Sequence, residues 1–423
     1  MLIRGLIING KRENTLQFVM FKLTLLVFAA ILVVPASLAE TASNGSRANA
    51  FFSTGNKLYR RGEYSKAVSY FHQALNFASK STPPDHLNIA IAHNALGLAY
   101  ERRGNRDKAI AHYANALTSI SQAIKQRQAR PKKKKRLFAF VLPKKKKPKP
   151  ATAVPVRLVM ANIYNNKAIA HLNKADYSTA ITLLQNAIEI KRSVLGSDHP
   201  MLASSYSNLG LAYQKQHQHD KAALYHKKAL TVQLKARAPG ISAQKKKASG
   251  TSDTNRKPGP QHKLARSYIN LGTAYLHQRK YDDAITYYRK GLPLLRQALG
   301  DKHPEVATAY SNLGVAYGRK GQAEQSIRYH QRALAIRLDK LRPLHPSTIL
   351  SYRYLGLAYK KKGDTRKARA NFKHGLAIST KGLGKTHRYT RFFASQLVRT
   401  KKTGKRTERR RKAAGRKQKT SAR

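Results

Sequence analysis

Residues 303–341 read HPEVATAYSNLGVAYGRKGQAEQSIRYHQRALAIRLDKL, and their spacing decides the fold. Ala307, Tyr310, Leu313, Gly314 and Tyr317 recur at three- and four-residue steps, which places them on one helical face. Ile327, His330, Ala333, Leu334 and Leu338 do the same further on. The pattern predicts a helix from about 304 to 319, a turn at Lys320-Gly321-Gln322 and a second helix from about 323 to 340. Gly314 and Ala333 are small where the two helices cross, so their backbones can approach closely.

The unit repeats along the chain. Residues equivalent to Gly314 are Gly55, Gly97, Ala168, Gly210, Gly272 and Gly356, with separations of 42, 71, 42, 62, 42 and 42 along the set of seven. Twelve residues after each anchor stands Ala67, Ala109, Ala180, Ala222, Ala284, Ser326 or Ala368. Seven further on, Ala74, Ala116, Ala187, Ala229, Gly291, Ala333 and Gly375 keep the second helix small on the same face. A fixed period of this length signals a solenoid, because no single helix pair buries its own apolar face.

The small, Tyr, Ala, aromatic, Ala spacing, here Gly97, Tyr100, Ala109, Tyr113 and Ala116, resembles the tetratricopeptide repeat. The period is longer than that repeat's usual ~34 residues. The junctions Leu195-Gly196-Ser197-Asp198-His199-Pro200 and Leu299-Gly300-Asp301-Lys302-His303-Pro304 resemble those of the kinesin-light-chain-type, 42-residue variant. The resemblance covers roughly 48–399. It implies an all-α, right-handed α-solenoid of seven tetratricopeptide-like helix pairs plus a C-terminal capping helix.

Outward from the repeats the chain changes character. Residues 1–39 read as a secretory signal peptide: Lys22, the apolar run Leu23–Val34, then Ser37-Leu38-Ala39 with small residues at the cleavage positions. Met20 is a possible true start. The competing reading is an uncleaved anchor over Leu16–Val34. Repeats one and two occupy 48–124, after a polar leader over Thr41–Ala48, and repeats three and four lie within 151–236. Repeats five to seven lie within 263–379, and 380–399 is the capping segment, with Phe392, Phe393 and Leu397 closing the core.

Between the repeats lie a basic insertion at 125–150 and a Gly/Ser/Lys/Pro linker at 237–262. The insertion carries 13 Lys or Arg and no acid, around the apolar hexamer Leu137-Phe138-Ala139-Phe140-Val141-Leu142. It reads either as a solvated loop or as a polyanion- or membrane-touching one. Residues 400–423 form a basic tail without an apolar pattern, expected to be disordered.

Lys and Arg total 83 against 19 Asp and Glu, for a net charge of +64. Such a balance attracts polyanions strongly. Cysteine is absent, which excludes disulfides, thiolate metal sites and cysteine nucleophiles. Carboxylates are too few for acid–base chemistry. Asp107, Asp220, Asp282, Asp283 and Glu324 each fall in the first turn of a second helix, where the dipole favours them, and Asp282-Asp283 reads as a capping pair. His86, His199, His303, His345 and His387 recur at helix starts and read as junction residues. His226 and His330 replace the usual aromatic of the second helix and read as neutral, packed imidazoles. No phosphate loop, nucleophile elbow or metal pair appears. The sequence therefore predicts a non-enzyme without cofactor, metal or small-molecule substrate.

The candidate site is a polar row. Two residues before the anchor stand Asn166, Asn208, Asn270 and Asn312; five after it stand Arg102, Lys215, Arg319 and Lys361, with Arg60 and His277. Seven residues apart, both sets share one helical face. The resemblance implies that this face lines a concave groove where carboxamides bond a peptide backbone. The expected function is an exported interaction scaffold binding an extended, acidic peptide or protein. The alternative is a polyanion binder for nucleic acid, anionic polysaccharide or lipid headgroups. It would act through Lys132, Lys133, Lys134, Lys135, Arg136, Lys144, Lys145, Lys146 and Lys147, and through Arg409, Arg410, Arg411 and Lys412 of the tail. Expected locations are the periplasm, cell envelope or exterior, or the membrane if the N-terminal helix is kept.

Overall fold

The structure is a computed structural model, and it describes residues 44–129, 154–236, 259–341 and 343–400. The signal segment, the Leu16–Val34 alternative, the clusters Lys132–Arg136 and Lys144–Lys147, and Arg409–Lys412 lie outside the described residues. Among the described residues every regular element is a helix. The helices are α1 (Asn44–Arg60), α2 (Tyr64–Ser79), α3 (His86–Arg102), α4 (Arg106–Ala129), α5 (Val154–Asn173), α6 (Tyr177–Leu195) and α7 (Leu202–Lys215). They continue as α8 (His219–Lys235), α9 (Pro260–His277), α10 (Tyr281–Leu299), α11 (Pro304–Lys320), α12 (Ala323–Lys340), α13 (Pro346–Lys362) and α14 (Thr365–Leu383). A last helix, α15, spans 388–400. Seven helix pairs and a cap result, as the repeat pattern predicts.

Three edges differ from the sequence reading. α1 starts at Asn44, inside the expected leader, where the Asn44 amide donates to Lys80 O at 2.9 Å. α4 runs on to Ala129, into the stretch read as loop, because Lys125–Ala129 are good helix formers and the first proline comes only at Pro131. α9 begins at Pro260, inside the expected linker, since proline's fixed φ suits the first helical position.

The periodic histidines have a common local job. Nδ1 of His199, His303, His345 and His387 accepts the backbone N–H two residues on, at 3.1, 3.1, 3.1 and 3.2 Å. Each ring thus satisfies one of the orphan donors at a helix start. At His86 the preceding Asp85 takes over, accepting from Asn88 N at 3.1 Å.

The chain divides into two compact units, 1–218 with 231–256, and 219–230 with 257–423. In unit one Phe71, Leu96, Tyr113, Ile120 and Ile163 form the centre of the core. In unit two Tyr288, Leu313, Phe372 and Phe393 do so. The anchor glycines explain the close packing. A Cβ added at Gly314 would lie 2.6 Å from the His330 ring, and one at Gly272 2.8 Å from the Tyr288 ring. Ser326, where the other repeats have alanine, is buried and donates to Gly314 O at 2.7 Å, so its hydroxyl costs nothing unpaired. Phe393 of α15 is fully buried beside Phe372, with Phe392 and Leu397 packed on the same cluster.

Successive repeats are pinned by periodic polar links. The first-turn acid of one second helix is bonded from the next repeat: Asp107 by Lys174 (2.5 Å), Asp220 by Gln278 (2.8 Å), Asp282 by Lys320 and Glu324 by Lys362 (2.8 Å). The sequence reading gave these acids to the helix dipole alone. Asp282 stands in the first turn of α10 with Asp283, as the sequence predicts, and is an inter-repeat ion-pair partner as well; Lys280, the N-cap of α10, makes no side-chain cap. A second link joins residues 28 apart: His72 with Tyr100 (3.4 Å), Arg289 to Tyr317 (2.6 Å) and Gln331 to Tyr359 (3.1 Å).

Candidate functional site

The asparagine row lies on the first helices α5, α7, α9 and α11, and all four amides are half-buried. The two units treat them differently. In unit one Asn166 Nδ2 donates to Asn94 Oδ1 at 3.0 Å, and Asn208 Nδ2 donates to Asn165 Oδ1 at 3.3 Å. Each of these amides is therefore tied to the preceding repeat. In unit two Asn270 and Asn312 make no hydrogen bond to the described residues.

The cationic row divides too. Arg102 Nε donates to Tyr59 Oη at 3.2 Å, a bond that holds the guanidinium pKa above its ordinary value. Lys361 Nζ donates to Gly318 O at 2.6 Å. Asn173 fills the same position in repeat three and bonds Glu101 at 2.8 Å. Lys215 and Arg319 are exposed and make no hydrogen bond or ion pair to the described residues.

A third row went unread in the sequence. One residue after the anchor stand Leu98, Ile169, Leu211, Val315 and Leu357, all half-buried except Leu211, which is 39 % exposed. They sit three residues after the amide and four before the cation, so the stripe runs amide, apolar, cation along one face. The i, i+3, i+7 step was the available signal. Repeat five breaks the row with Thr273, whose hydroxyl is engaged by Ile269 O at 2.9 Å and Tyr288 Oη at 3.1 Å.

Two buried cations stand at sequence-equivalent positions on second helices. Lys191 is 2 % exposed and donates to Ser205 Oγ at 2.9 Å; burial pulls its pKa down to about 8. Arg337 donates to Ser351 Oγ at 2.6 Å and to Ser347 O at 3.2 Å. The packed imidazoles are neutral at pH 7, since burial lowers His226 to about 4 and His330 to about 3. His330 stacks on Tyr354, with ring centroids 5.3 Å apart. Tyr354 occupies the asparagine position of repeat seven.

A histidine group also escaped the sequence reading. His93 Nδ1 and His112 Nδ1 lie 3.0 Å apart, sharing one proton, and His112 stacks on Tyr100. Burial, then the neighbouring His93, lowers His112 to about 4. Among the described residues no three His, Cys, Asp or Glu side chains are arranged to hold a metal ion. Nor is any described helix long and apolar enough to cross a membrane.

Comparison with known proteins gives the architecture a setting. A family model described as a tetratricopeptide repeat matches residues 49–120, 159–235, 263–339 and 305–381. Heat shock protein STI1 of Saccharomyces cerevisiae is 26% identical over 128 residues, which are 29% of this chain and 20% of STI1. The match thus spans about a fifth of that relative's length. A signal-transduction ATPase of the STAND type with a tetratricopeptide repeat sensor, from Pyrococcus horikoshii, aligns over 92% of this chain and 47% of its own, with TM-score 0.56 and 15% identity. The apo form of RapI aligns over 79% and 98%, with TM-score 0.53 and 14% identity. A putative kinesin light chain with nearly identical repeats, from Podosopora anserina, is 22% identical over 52% of this chain and 96% of its own, with TM-score 0.42. At these identities the structural likeness speaks to fold alone.

Proposed function

We propose, from the premise that this chain belongs to the tetratricopeptide repeat family, that it is a non-enzymatic protein–protein interaction scaffold gripping an extended, acidic peptide segment on its amide–apolar–cation stripe. The observation that carries this reading is the set of unengaged groups. In unit two Asn270 and Asn312 make no hydrogen bond to the described residues with either half of the amide, and Arg319 forms no ion pair with them. A carboxamide donates to C=O and accepts from N–H at once, the pairing that an extended backbone needs. Half-buried Val315 and Leu357 offer apolar contact between the polar rows. The ligand is read as acidic because first-turn carboxylates such as Glu324 already bond the next repeat, leaving Arg319 without a carboxylate among the described residues.

A second reading has its own support in charge. The insertion 125–150 carries +13, residues 235–263 +7 and the tail 400–423 +11, leaving +33 of the +64 elsewhere. Polyanion attraction through Lys132–Arg136, Lys144–Lys147 and Arg409–Lys412 follows from that density. Export after cleavage behind Ala39 remains part of the proposal, resting on the signal-like segment alone.

The test is a titration of a labelled, glutamate-rich twelve-residue peptide and of heparin against wild type, Asn270→Ala/Asn312→Ala/Arg319→Glu, and a chain lacking 131–150 and 400–423. Loss of peptide binding in the first variant with heparin retained supports the groove. Full peptide affinity there, with loss only in the deletion, overturns it in favour of the polyanion reading.

A further inference from the structure

Unit one holds a buried cation that no carboxylate answers. Lys191 on α6 is 2 % exposed, and its ammonium bonds Ser205 Oγ on α7 at 2.9 Å. An ammonium carries three donors and no acceptor. Ser205 must therefore receive that bond on its oxygen and spend its own proton elsewhere, and it does so on Asn165 Oδ1 of α5, 3.2 Å away. The same oxygen takes Asn208 Nδ2 at 3.3 Å. The two ends of a carboxamide have nearly the same shape, so only partners choose between them. Here the donor-only end of the chain makes the choice for both amides.

What remains is defined. Asn165 keeps its Nδ2 donor and Asn208 its Oδ1 acceptor, neither with a partner among the described residues. Resting on the groove reading and extending it, we infer that Lys191 is a positioning residue that locks Asn165 and Asn208 in the flips offering a ligand one N–H donor and one carbonyl acceptor, the complement of a polypeptide backbone's C=O and N–H. A polyphosphate or polysulfate has no N–H to give Asn208 Oδ1, so this junction selects for peptide over simple polyanion. Arg337 of unit two has no such reach. Its serine, Ser351, passes its proton to Ser347 O at 3.2 Å, and the chain of bonds ends on the backbone.

The experiment uses the full chain labelled with 15N-asparagine, as wild type, Lys191→Met, Lys191→Arg and Arg337→Met. Methionine fills the buried site without a donor; arginine restores a donor-only end. Hydrogen exchange at Asn208 Nδ2 is expected to speed up in Lys191→Met and to stay at the wild-type rate in the other two. A glutamate-rich twelve-residue peptide should bind Lys191→Met about two- to tenfold more weakly, the worth of one hydrogen bond. The same peptide with N-methylated backbone amides should lose that difference. Unchanged Asn208 exchange in Lys191→Met overturns the lock, whatever binding does. If exchange responds while Lys191→Met binds the peptide as wild type does, the lock stands and the groove reading fails.

Discussion

Unit one buries Lys191 between α6 and α7; unit two buries Arg337 between α12 and α13, at the same place in the repeat. Both cations find a serine on the following helix, Ser205 or Ser351. From there the two diverge. Ser205 hands its proton to the Asn165 amide of another helix, whereas Ser351 returns it to its own helix. In unit one Asn165 and Asn208 are thereby tied to one another, and in unit two Asn270 and Asn312 make no hydrogen bond to the described residues. One scaffold position thus serves two ends: amides fixed in one flip in unit one, amides without an internal bond among the described residues in unit two. Ser311 shows the cost of a mismatch. Its buried hydroxyl has no partner, and the next repeat presents Tyr354 where an asparagine would stand.

The largest expected effect separates the units by acid. Unit two fills ring positions against its helices with His226 and His330 as well as Tyr288 and Phe372, while unit one uses Phe71 and Tyr113. The folded pKa values of about 4 and about 3 lie below the unfolded value of ~6.5, so the unfolded chain binds more protons in between. Stability is then fully present above pH ~6.5 and is lost as pH falls toward 3, at ~1.4 kcal/mol per unit per site. At pH 4 the two sites together should cost on the order of 5 kcal/mol. His226→Phe/His330→Phe should remove that part of the pH 4 to pH 7 difference in thermal midpoint and leave the share of His112 in unit one. Equal acid sensitivity in variant and wild type would mean that these rings are not buried neutral.

Next in size is the loss of the serine beneath each cation. Ser205→Ala leaves Lys191 buried with no hydrogen-bond partner, and an uncompensated buried charge costs ~3–5 kcal/mol. Ser351→Ala leaves Arg337 its bond to Ser347 O, so ~1–2 kcal/mol is expected. Urea denaturation of both variants compares them directly. Alkali sharpens the contrast, because burial depresses Lys191 to about 8. A lysine whose folded pKa lies below its unfolded ~10.4 adds stability as pH rises between those values. Ser205→Ala should therefore recover part of its deficit above pH 8, and Ser351→Ala should not. A flat difference between them from pH 7 to 10 removes the argument that Lys191 is held charged at a cost.

Much of this architecture was legible because it is periodic. The anchors, the small residues beyond them and the capping histidines repeat in the sequence, and each has one local cause: close crossing, or an orphan N–H at a helix start. Phe392, Phe393 and Leu397 were readable as an end cap for the same reason. What escaped depends on pairing between repeats. Asp107 and Asp282 sit where a dipole favours them, but their partners Lys174 and Lys320 lie far along the chain. No local pattern names those. The amide row was found as a row, yet whether each member is free depends on the residue one position earlier in the previous repeat: Asn94 and Asn165 engage Asn166 and Asn208, whereas the half-buried Ile269 offers Asn312 no acceptor. Most of both insertions and of the tail lies outside the described residues, and their sequence offers charge without periodicity.

The smallest effect is the one that tests the comparison at the groove. Asn166→Ala/Asn208→Ala removes two internal hydrogen bonds and leaves Asn94 and Asn165 with lost donors, so unit one should lose ~1–3 kcal/mol of stability. Asn270→Ala/Asn312→Ala removes amides that bond nothing in the free protein, and its thermal midpoint should hardly move. The order reverses for binding. An extended peptide gains nothing in unit two until it meets those free amides, and two lost bonds at ~0.5–1.5 kcal/mol each weaken it by about tenfold. Unit one's pair, already sharing its donors internally, can lose less. Adding Arg319→Glu should deepen the unit-two loss for glutamate-rich peptides, with an effect that shrinks as salt rises, since an exposed charge is screened within ~10 Å at ~0.1 M. Calorimetric titration and thermal melts of both double variants read the two quantities separately. If the unit-two pair costs stability and spares the peptide, while the unit-one pair does the opposite, the free amides are structural and the committed ones bind, and the division of labour drawn from the hydrogen bonds is inverted.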